Sequence, residues 1–429
     1  MKIHVVTLGC PKNIVDSEYL IGGLSQKEIE FINDPLKADV IIINTCSFII
    51  SAREEAIETI LEAIQLKNAG KCQRLYVTGC LPQKYRVELE RELPEVDGFY
   101  DQLDFKEVAH KIAADLNYLA NETTNRHLLT PKHYSYLKIA EGCNNRCSYC
   151  TIPSIKGDYL SRDFSIITEE AEALVEKGVR ELIIIAQDTT YYGRDLNNGI
   201  SLNKLIKRLS AINNLKWIRL LYAHPAHLTD ELIYLIRDEE KICKYIDIPM
   251  QHISDPILEK MQRKVTGDHI KLLIEKLRKS IPDISCRTTL MVGFPGETED
   301  DFQKLVQFVK DVQFERLGVF KYSQENDTAA ALLPGQVSEE QKEERLQEIM
   351  QLQSTISFNK NDALVNNIVE VVVDEYETET DYFIARTQWD SPQIDNRVLI
   401  TKNVNIGSFF KVKIEEAAEF DLIGSVVMI

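Results

Sequence analysis

The stretch Cys143-Asn144-Asn145-Arg146-Cys147-Ser148-Tyr149-Cys150 sets three thiols in a C-x3-C-x2-C pattern directly after a strand-like run, Ser135–Ala140. Three thiolates this close grip one cluster or metal ion. A structural zinc takes four ligands, and the next residues, Thr151, Ile152 and Pro153, supply none. Three cysteine ligands leave one iron of a cubane open to chelate a small molecule, whereas a closed cluster only passes electrons.

Outward from this stretch, a strand–helix unit repeats roughly every thirty-odd residues. The expected strands are Ser135–Ala140, Glu181–Ala186, Trp217–Tyr222, Tyr245–Pro249, Cys286–Val292 and Leu317–Tyr322, and between them lie helical patterns such as Thr168–Lys177, Leu202–Leu209, Asp230–Arg237 and Ile270–Lys279. Six units make a partial (β/α)6 barrel, short of the eight that close one. Polar residues follow the strands, among them Gln187-Asp188, His224-Pro225, Gln251-His252 and Gly293-Phe294-Pro295-Gly296. Barrel enzymes place their chemistry at that end, so the cysteine stretch falls at the active mouth. Gln187 and Asp188 are candidates for ribose or substrate contacts, though solvated loop polarity is the better account of them. Gly293 and Gly296 would either let backbone approach an adenosyl group or form a tight turn leading to an N-cap at Thr298. His224, His227 and His252 read as structural.

Before the barrel, strands alternate with amphipathic helices: Ile3–Leu8 with a helix from about Asn13, Asp39–Asn44 with Arg53–Lys67, and Arg74–Thr78 with Gln83–Arg91. That alternation implies a parallel sheet with helical crossovers. Cys10, Cys46 and Cys80 each follow one of these strands directly. Parallel strands end on one edge, where α/β folds bind ligands, so three residues about 35 positions apart in sequence should converge into a second three-thiolate site. Glycine before Cys10 and Cys80 allows close backbone approach to a bulky group. Cys72, Cys243 and Cys286 lack this placement and read as core thiols. The polar run Asn121–Asn125 reads as a linker.

After the barrel, a long charged helix opens at Ser338 with Gln341 three residues on, a capping-box pattern. Short strand-like runs follow, Val369–Val373, Phe383–Thr387, Val398–Ile400, Phe409–Ile414 and Leu422–Met428, with no helix between them. They predict a small antiparallel β-barrel of about five strands. The three expected domains are 1–120, 130–358 and 361–429, all in an α/β chain. Between Lys360 and Ile429 stand 13 acidic and 6 basic residues, a net of −7. This suits a basic protein partner better than RNA.

A net charge of −17 over 429 residues argues against a broad basic surface for naked nucleic acid. The longest apolar stretch near the start, Val40–Ile50, is broken by Asn44, Thr45 and Ser47 and is too short for a bilayer. The start lacks a signal-peptide layout. A cytoplasmic location is therefore expected, where nine cysteines point to metal ligation or catalysis rather than disulfides.

The C-x3-C-x2-C at Cys143, Cys147 and Cys150 resembles the cluster motif of radical S-adenosylmethionine (radical SAM) enzymes. With the three upstream cysteines and the small terminal barrel, the whole chain resembles the methylthiotransferases. The resemblance implies a flavodoxin-like N-terminal domain, a partial radical-SAM barrel and a TRAM domain. Leu8–Asn13, Ala140–Cys143, Ile152–Gly157, Asp247–His252 and Phe320–Ser323 are similar to the RimO type, which modifies an aspartate of ribosomal small-subunit protein twelve. The type that modifies a transfer-RNA adenosine usually differs where Pro11 and Lys12 stand. Gln388–Gln393 departs from the smaller, more uniform segment the family has there.

The resemblance further implies two [4Fe-4S] clusters and S-adenosyl-L-methionine as cofactors. The cluster on Cys143, Cys147 and Cys150 would bind S-adenosylmethionine for radical generation. The one on Cys10, Cys46 and Cys80 would hold the sulfur to be transferred to the aspartate β-carbon. Tyr149 would lie against the adenine. A flavodoxin or ferredoxin would donate electrons, no membrane would be involved, and nucleic acid would be met only indirectly through the ribosome. The chemistry is consistent with this: an unactivated C–H bond has no acidic proton for a general base, so a radical is needed. The alternatives are a transfer-RNA methylthiotransferase, a radical-SAM methylase without sulfur insertion, and a non-enzymatic iron–sulfur electron carrier.

Overall fold

The central runs of the two parallel sheets, such as Val40–Thr45 and Glu181–Ile185, become strands buried along their whole length, as crossover helices on both faces of a parallel sheet require. The computed structural model describes residues 1–101, 104–121, 126–196 and 198–427. Of the expected linker, 122–125 lie outside the described residues, as does Met428 of the last expected strand. The chain divides into two compact units: Met1–Leu129 with Glu141–Arg146 and Cys150–Leu160, and Thr130–Ala140 with Cys147–Tyr149 and Ser161–Ile429.

The first unit carries β1 (Lys2–Thr7), α1 (Pro11–Leu24), β2 (Glu30–Phe31), β3 (Val40–Thr45), α2 (Ile50–Asn68), β4 (Arg74–Gly79), α3 (Cys80–Glu92), β5 (Gly98–Tyr100) and α4 (Phe105–Asp115). The sheet order is β2-β1-β3-β4-β5 and all pairings are parallel, which is the flavodoxin-like order. Ile41, Ile43, Leu75 and Val77 face α2 and α3 on one side of it. Ile3, Val40, Ile42 and Tyr76 face α1 and α4 on the other. The backbone N–H of Leu129 and the guanidinium of Arg126 both reach Glu18 on α1, tying 126–129 to that helix.

The second unit opens with β6 (Tyr134–Lys138). The cysteine stretch follows β7 (Ala140–Glu141) and leads through α5 (Ile152–Lys156) to β8 (Leu160–Ser161). The rest of the barrel is α6 (Phe164–Glu176), β9 (Glu181–Ile185), α7 (Leu202–Ser210), β10 (Trp217–Leu220), α8 (Asp230–Asp238), β11 (Ile242–Asp247), α9 (Asp255–Lys260), α10 (Gly267–Ser280), β12 (Ser285–Val292), α11 (Glu299–Val312) and β13 (Arg316–Lys321). Strands β6, β9, β10, β11, β12 and β13 lie side by side in chain order, all parallel, as an open six-stranded sheet. The capping box stands at Thr298 and Asp301, where both reciprocal bonds form. At Ser338 only the hydroxyl's half forms, accepting from Gln341 N–H, because glutamine's side chain does not return to the cap.

Helix α12 (Glu339–Asp362) packs back on β13, its Gln353 amide donating to Phe314 O at 2.9 Å. Beyond it, β14 (Ile368–Glu377), β15 (Tyr382–Thr387), β16 (Arg397–Ile400), β17 (Phe409–Ala417) and β18 (Asp421–Val426) close a five-stranded barrel around Val371, Val373, Val398, Val412 and Ile414. The barrel is not wholly antiparallel as expected: β16 and β18 pair in parallel, since β17 intervenes in the chain and pairs with β18 and β14 instead.

This small barrel sits on the N-terminal ends of the large one through buried ion pairs. Glu181, the first residue of β9, meets Arg219 and Arg386. Arg316, the first of β13, meets Asp390 at 2.6 Å, and Arg287 meets Asp395 at 3.2 Å. The divergent stretch Gln388–Gln393 is what fills this junction. Gln388 O accepts from Arg219 and Trp389 O accepts from Ser285. Its location is the barrel floor, away from the strand ends that carry the cysteine loop. Replacing Asp390 with alanine leaves the buried Arg316 guanidinium uncompensated and should cost about 3–5 kcal/mol, read as a lowered unfolding midpoint in denaturant.

Candidate active site

The register of the flavodoxin-like sheet decides where the N-terminal sulfurs lie. Strands β1, β3 and β4 are neighbours, with Thr7 opposite Asn44 and Thr45 opposite Gly79, so Cys10, Cys46 and Cys80 leave the sheet at one edge. Cys10 is the N-cap of α1 and Cys80 the first residue of α3. Both helices therefore begin earlier than the sequence indicated, at Pro11 and Cys80, and two of the sulfurs sit where a helix dipole favours thiolate. A Cβ on Gly9 would lie 2.8 Å from Cys46 Cβ, which places the Gly9-Cys10 turn against Cys46. Gly79 has φ +94°, and a Cβ there would stand 2.4 Å from Asn44 Oδ1 and 2.5 Å from Thr45 O.

A polar lattice fixes this edge from below. Asn13 Nδ2 donates to Leu8 O at 2.7 Å and Thr45 O at 3.1 Å. Asn44 Nδ2 donates to Asn13 O, Thr45 Oγ1 to Thr78 O, and Ser47 Oγ to Cys80 O. Burial pushes the Cys46 thiol up and the Cys80 thiol up to about 12, against the pull of the nearby Lys156 charge on Cys80. Buried thiols of this kind are neutral until a metal takes them as thiolates. Lys156, itself buried, lies 3.8 Å from Asp16 and 3.9 Å from Glu141. No motif singles out Lys156 or Asp16 in the sequence, since neither adjoins a cysteine. The donor set is sulfur on three adjacent strand ends with a lysine beside it, and it fits an iron–sulfur cluster. Gly79→Ala should destabilise the unit by more than about 1 kcal/mol, and calorimetry of the purified variant reads it directly.

Cys143, Cys147 and Cys150 share one eight-residue loop and are all partly exposed and free of disulfides. Cys143 N–H donates to Gly157 O at 3.2 Å. Ser148, between Cys147 and Cys150, is pinned by its N–H to Met261 O and its hydroxyl to Lys260 O. Arg263 Nη1 points at Cys147 Sγ at 3.5 Å. By contrast Cys72, Cys243 and Cys286 are buried, and burial pushes the last two up to about 12.

Tyr149 stands edge-on to Phe294, ring centroids 6.4 Å apart, and Phe294 in turn meets Tyr322. Gly293 and Gly296 form the tight turn before Thr298. Their open sides are filled by Lys342 and Lys260, and the N–H groups of Gly293 and Phe294 both donate to Glu297 Oε2. Gln187 follows β9, half-buried. Its neighbour Asp188 accepts from Thr190 and pairs with His227 at 2.6 Å. Burial and the charge of Arg263 push His224 down to about 2, so it is neutral. His252 is fully buried, its Nδ1 accepting from Ser254 N–H. Arg263 lay outside every periodic pattern in the sequence and is the mouth residue that sequence reasoning missed.

The Radical SAM superfamily pattern matches residues 137–309, that of Uncharacterized protein family UPF0004 matches 2–101, and that of the TRAM domain matches 365–427. "Ribosomal protein uS12 methylthiotransferase RimO" of Citrifermentans bemidjiense is 49% identical over 99% of this chain and 98% of its own. The proteins of that name from Geobacter sulfurreducens and Clostridioides difficile are 47% and 45% identical, over 99% and 100% of this chain and 98% and 99% of theirs. In fold, the chain is similar to the solved radical S-adenosylmethionine methyltransferase TsrM of Kitasatospora setae, with TM-score 0.54, 14% identity and 77% of each chain covered.

Proposed function

The chain belongs to the RimO-type methylthiotransferases of the radical SAM superfamily, and we propose from that premise that Cys143, Cys147 and Cys150 hold one [4Fe-4S] cluster and Cys10, Cys46 and Cys80 a second. It is an enzyme that methylthiolates ribosomal protein uS12, and the atom modified on this reading is the β-carbon of an aspartate. The observation that carries the second cluster is the exit of three cysteines from three neighbouring parallel strands at one sheet edge. A methylase without sulfur insertion has no need of that trio, and an electron carrier has no need of an open coordination site on the cluster at 143–150.

When bound, the two clusters and S-adenosylmethionine supply the one-electron chemistry and the sulfur that an unactivated C–H bond requires. The protein's own part is placement and exclusion of water. The N-terminal ends of α1 and α3 and the charge of Lys156 favour thiolate at the sheet edge. Arg263 supplies an N–H to Cys147, and Ser148 holds the loop's shape through Met261 and Lys260. Gln187 and Tyr149 stand at the mouth as candidate contacts for the cofactor's adenosyl portion.

The small barrel is the docking element on this reading. Of its 13 acidic residues, Asp374, Asp390 and Asp395 are engaged with Arg386, Arg316 and Arg287. Glu370 pairs with Lys216 and Asp421 with Arg397, and the rest leave the segment net acidic, suited to a basic ribosomal protein. A flavodoxin- or ferredoxin-type protein is the electron donor we assign, and the cytoplasm the compartment. Among the described residues no helix is long and apolar enough to cross a membrane. An assay offering isolated uS12 and transfer RNA side by side tests the substrate: methylthio product is expected on the protein, and product on transfer RNA alone would overturn the assignment.

A further inference from the structure

Arg263 is a buried cation that faces the sulfur of Cys147, a thiolate in the assigned cluster, and keeps a further N–H without a partner. Its side chain is almost wholly enclosed, and among the described residues no carboxylate lies within ion-pair distance of it. Nη1 faces Cys147 Sγ and Nη2 donates to Pro249 O, while Nε has no partner. Asp188, whose charge reaches the guanidinium, is engaged by His227 and Thr190. The unpaired Nε–H is the open donor of this buried guanidinium, which sits between two residues in the left-handed region, Gln262 at φ +57° and Lys264 at φ +56°.

A second unpartnered donor belongs to the same mouth. His224 is 95% buried and follows β10 as Arg263 follows α9. Its Nδ1 accepts the Ala226 N–H at 3.2 Å, so the ring proton is on Nε2, and that N–H has no partner. The charge of Arg263 is felt at His224. One cationic N–H, the Nε–H of Arg263, and one neutral N–H, both buried, are a donor set matched to a carboxylate.

We propose that Arg263 and His224 form a carboxylate receptor at the barrel mouth, beside Cys147. The inference rests on the methylthiotransferase reading, whose reaction brings two carboxylates to this chain. One is the methionyl carboxylate of S-adenosylmethionine and the other the side chain of the target aspartate. The chemistry is shared; the source is a matter for measurement.

The test uses anaerobically reconstituted enzyme and two probes. The first is S-adenosylmethionine, its affinity read from the change it makes in the reduced cluster's spectrum. The second is intact uS12, its affinity compared between the native form and one whose target aspartate is asparagine. Arg263→Gln should weaken one of the two about ten- to hundredfold. His224→Leu should weaken the same one several-fold, and His224→Gln, which restores an N–H donor, should recover most of it. Weakened S-adenosylmethionine binding assigns the receptor to the methionyl carboxylate. Loss of the preference for aspartate over asparagine assigns it to the target. Should Arg263→Gln fail to fold, the two His224 variants carry the same comparison. Wild-type affinities for both probes in Arg263→Gln and His224→Leu would overturn the receptor and leave the enzyme reading intact. A wild-type spectrum indifferent to S-adenosylmethionine would overturn that reading and the receptor together.

Discussion

Cys143→Ala is expected to abolish S-adenosylmethionine cleavage and, with it, methylthiolated product. The three thiols of the loop act as one donor set, and a cluster with two protein sulfurs is no longer held. The variant should still fold. Cys143 is partly exposed, and its structural bond to Gly157 uses the backbone N–H, which alanine keeps. Far-ultraviolet dichroism should therefore match the wild type while both activities fall below detection. Retained cleavage would mean that the loop does not hold the cluster that engages S-adenosylmethionine.

Cys46→Ala is expected to separate the two halves of the chemistry. Cleavage of S-adenosylmethionine should persist, uncoupled from substrate, and sulfur insertion should be lost. Cys46 sits at the middle of the three strand ends, against Gly9, and loss of its sulfur removes one of three donors there without touching the loop at 143–150. The structural cost of trimming one buried thiol to a methyl is about 1 kcal/mol, too small to unfold the unit. Methylthio product from this variant would show that the strand-end trio does not deliver the sulfur.

Much of this was legible in the sequence because parallel strands impose their own geometry. Once β1, β3 and β4 are read as adjacent hydrophobic runs, the residues that follow them share an edge, and Cys10, Cys46 and Cys80 come together without further information. Helix starts were less legible. Cysteine is not among the usual N-cap residues, so the start signal of Pro11 at the first position of α1 went unused and nothing marked α3 as beginning at Cys80. The β16–β18 parallel pair was invisible because short strands separated by turns read as hairpins. Gln388–Gln393, a departure from the family's smaller segment, is a plug whose polar groups are fixed by Arg219, Arg316 and Ser285. Arg263 carried no pattern at all: its meaning lies in its contact with Cys147 and in one buried N–H left over, and neither is written in local sequence.

Iron and acid-labile sulfide, measured on anaerobically prepared wild-type chain and on Cys46→Ala, test the two-trio assignment most directly. About eight irons per wild-type chain and about four in the variant are expected. About four irons in both would mean that the sheet-edge cysteines hold no cluster, and the sulfur-insertion reading would fall with them.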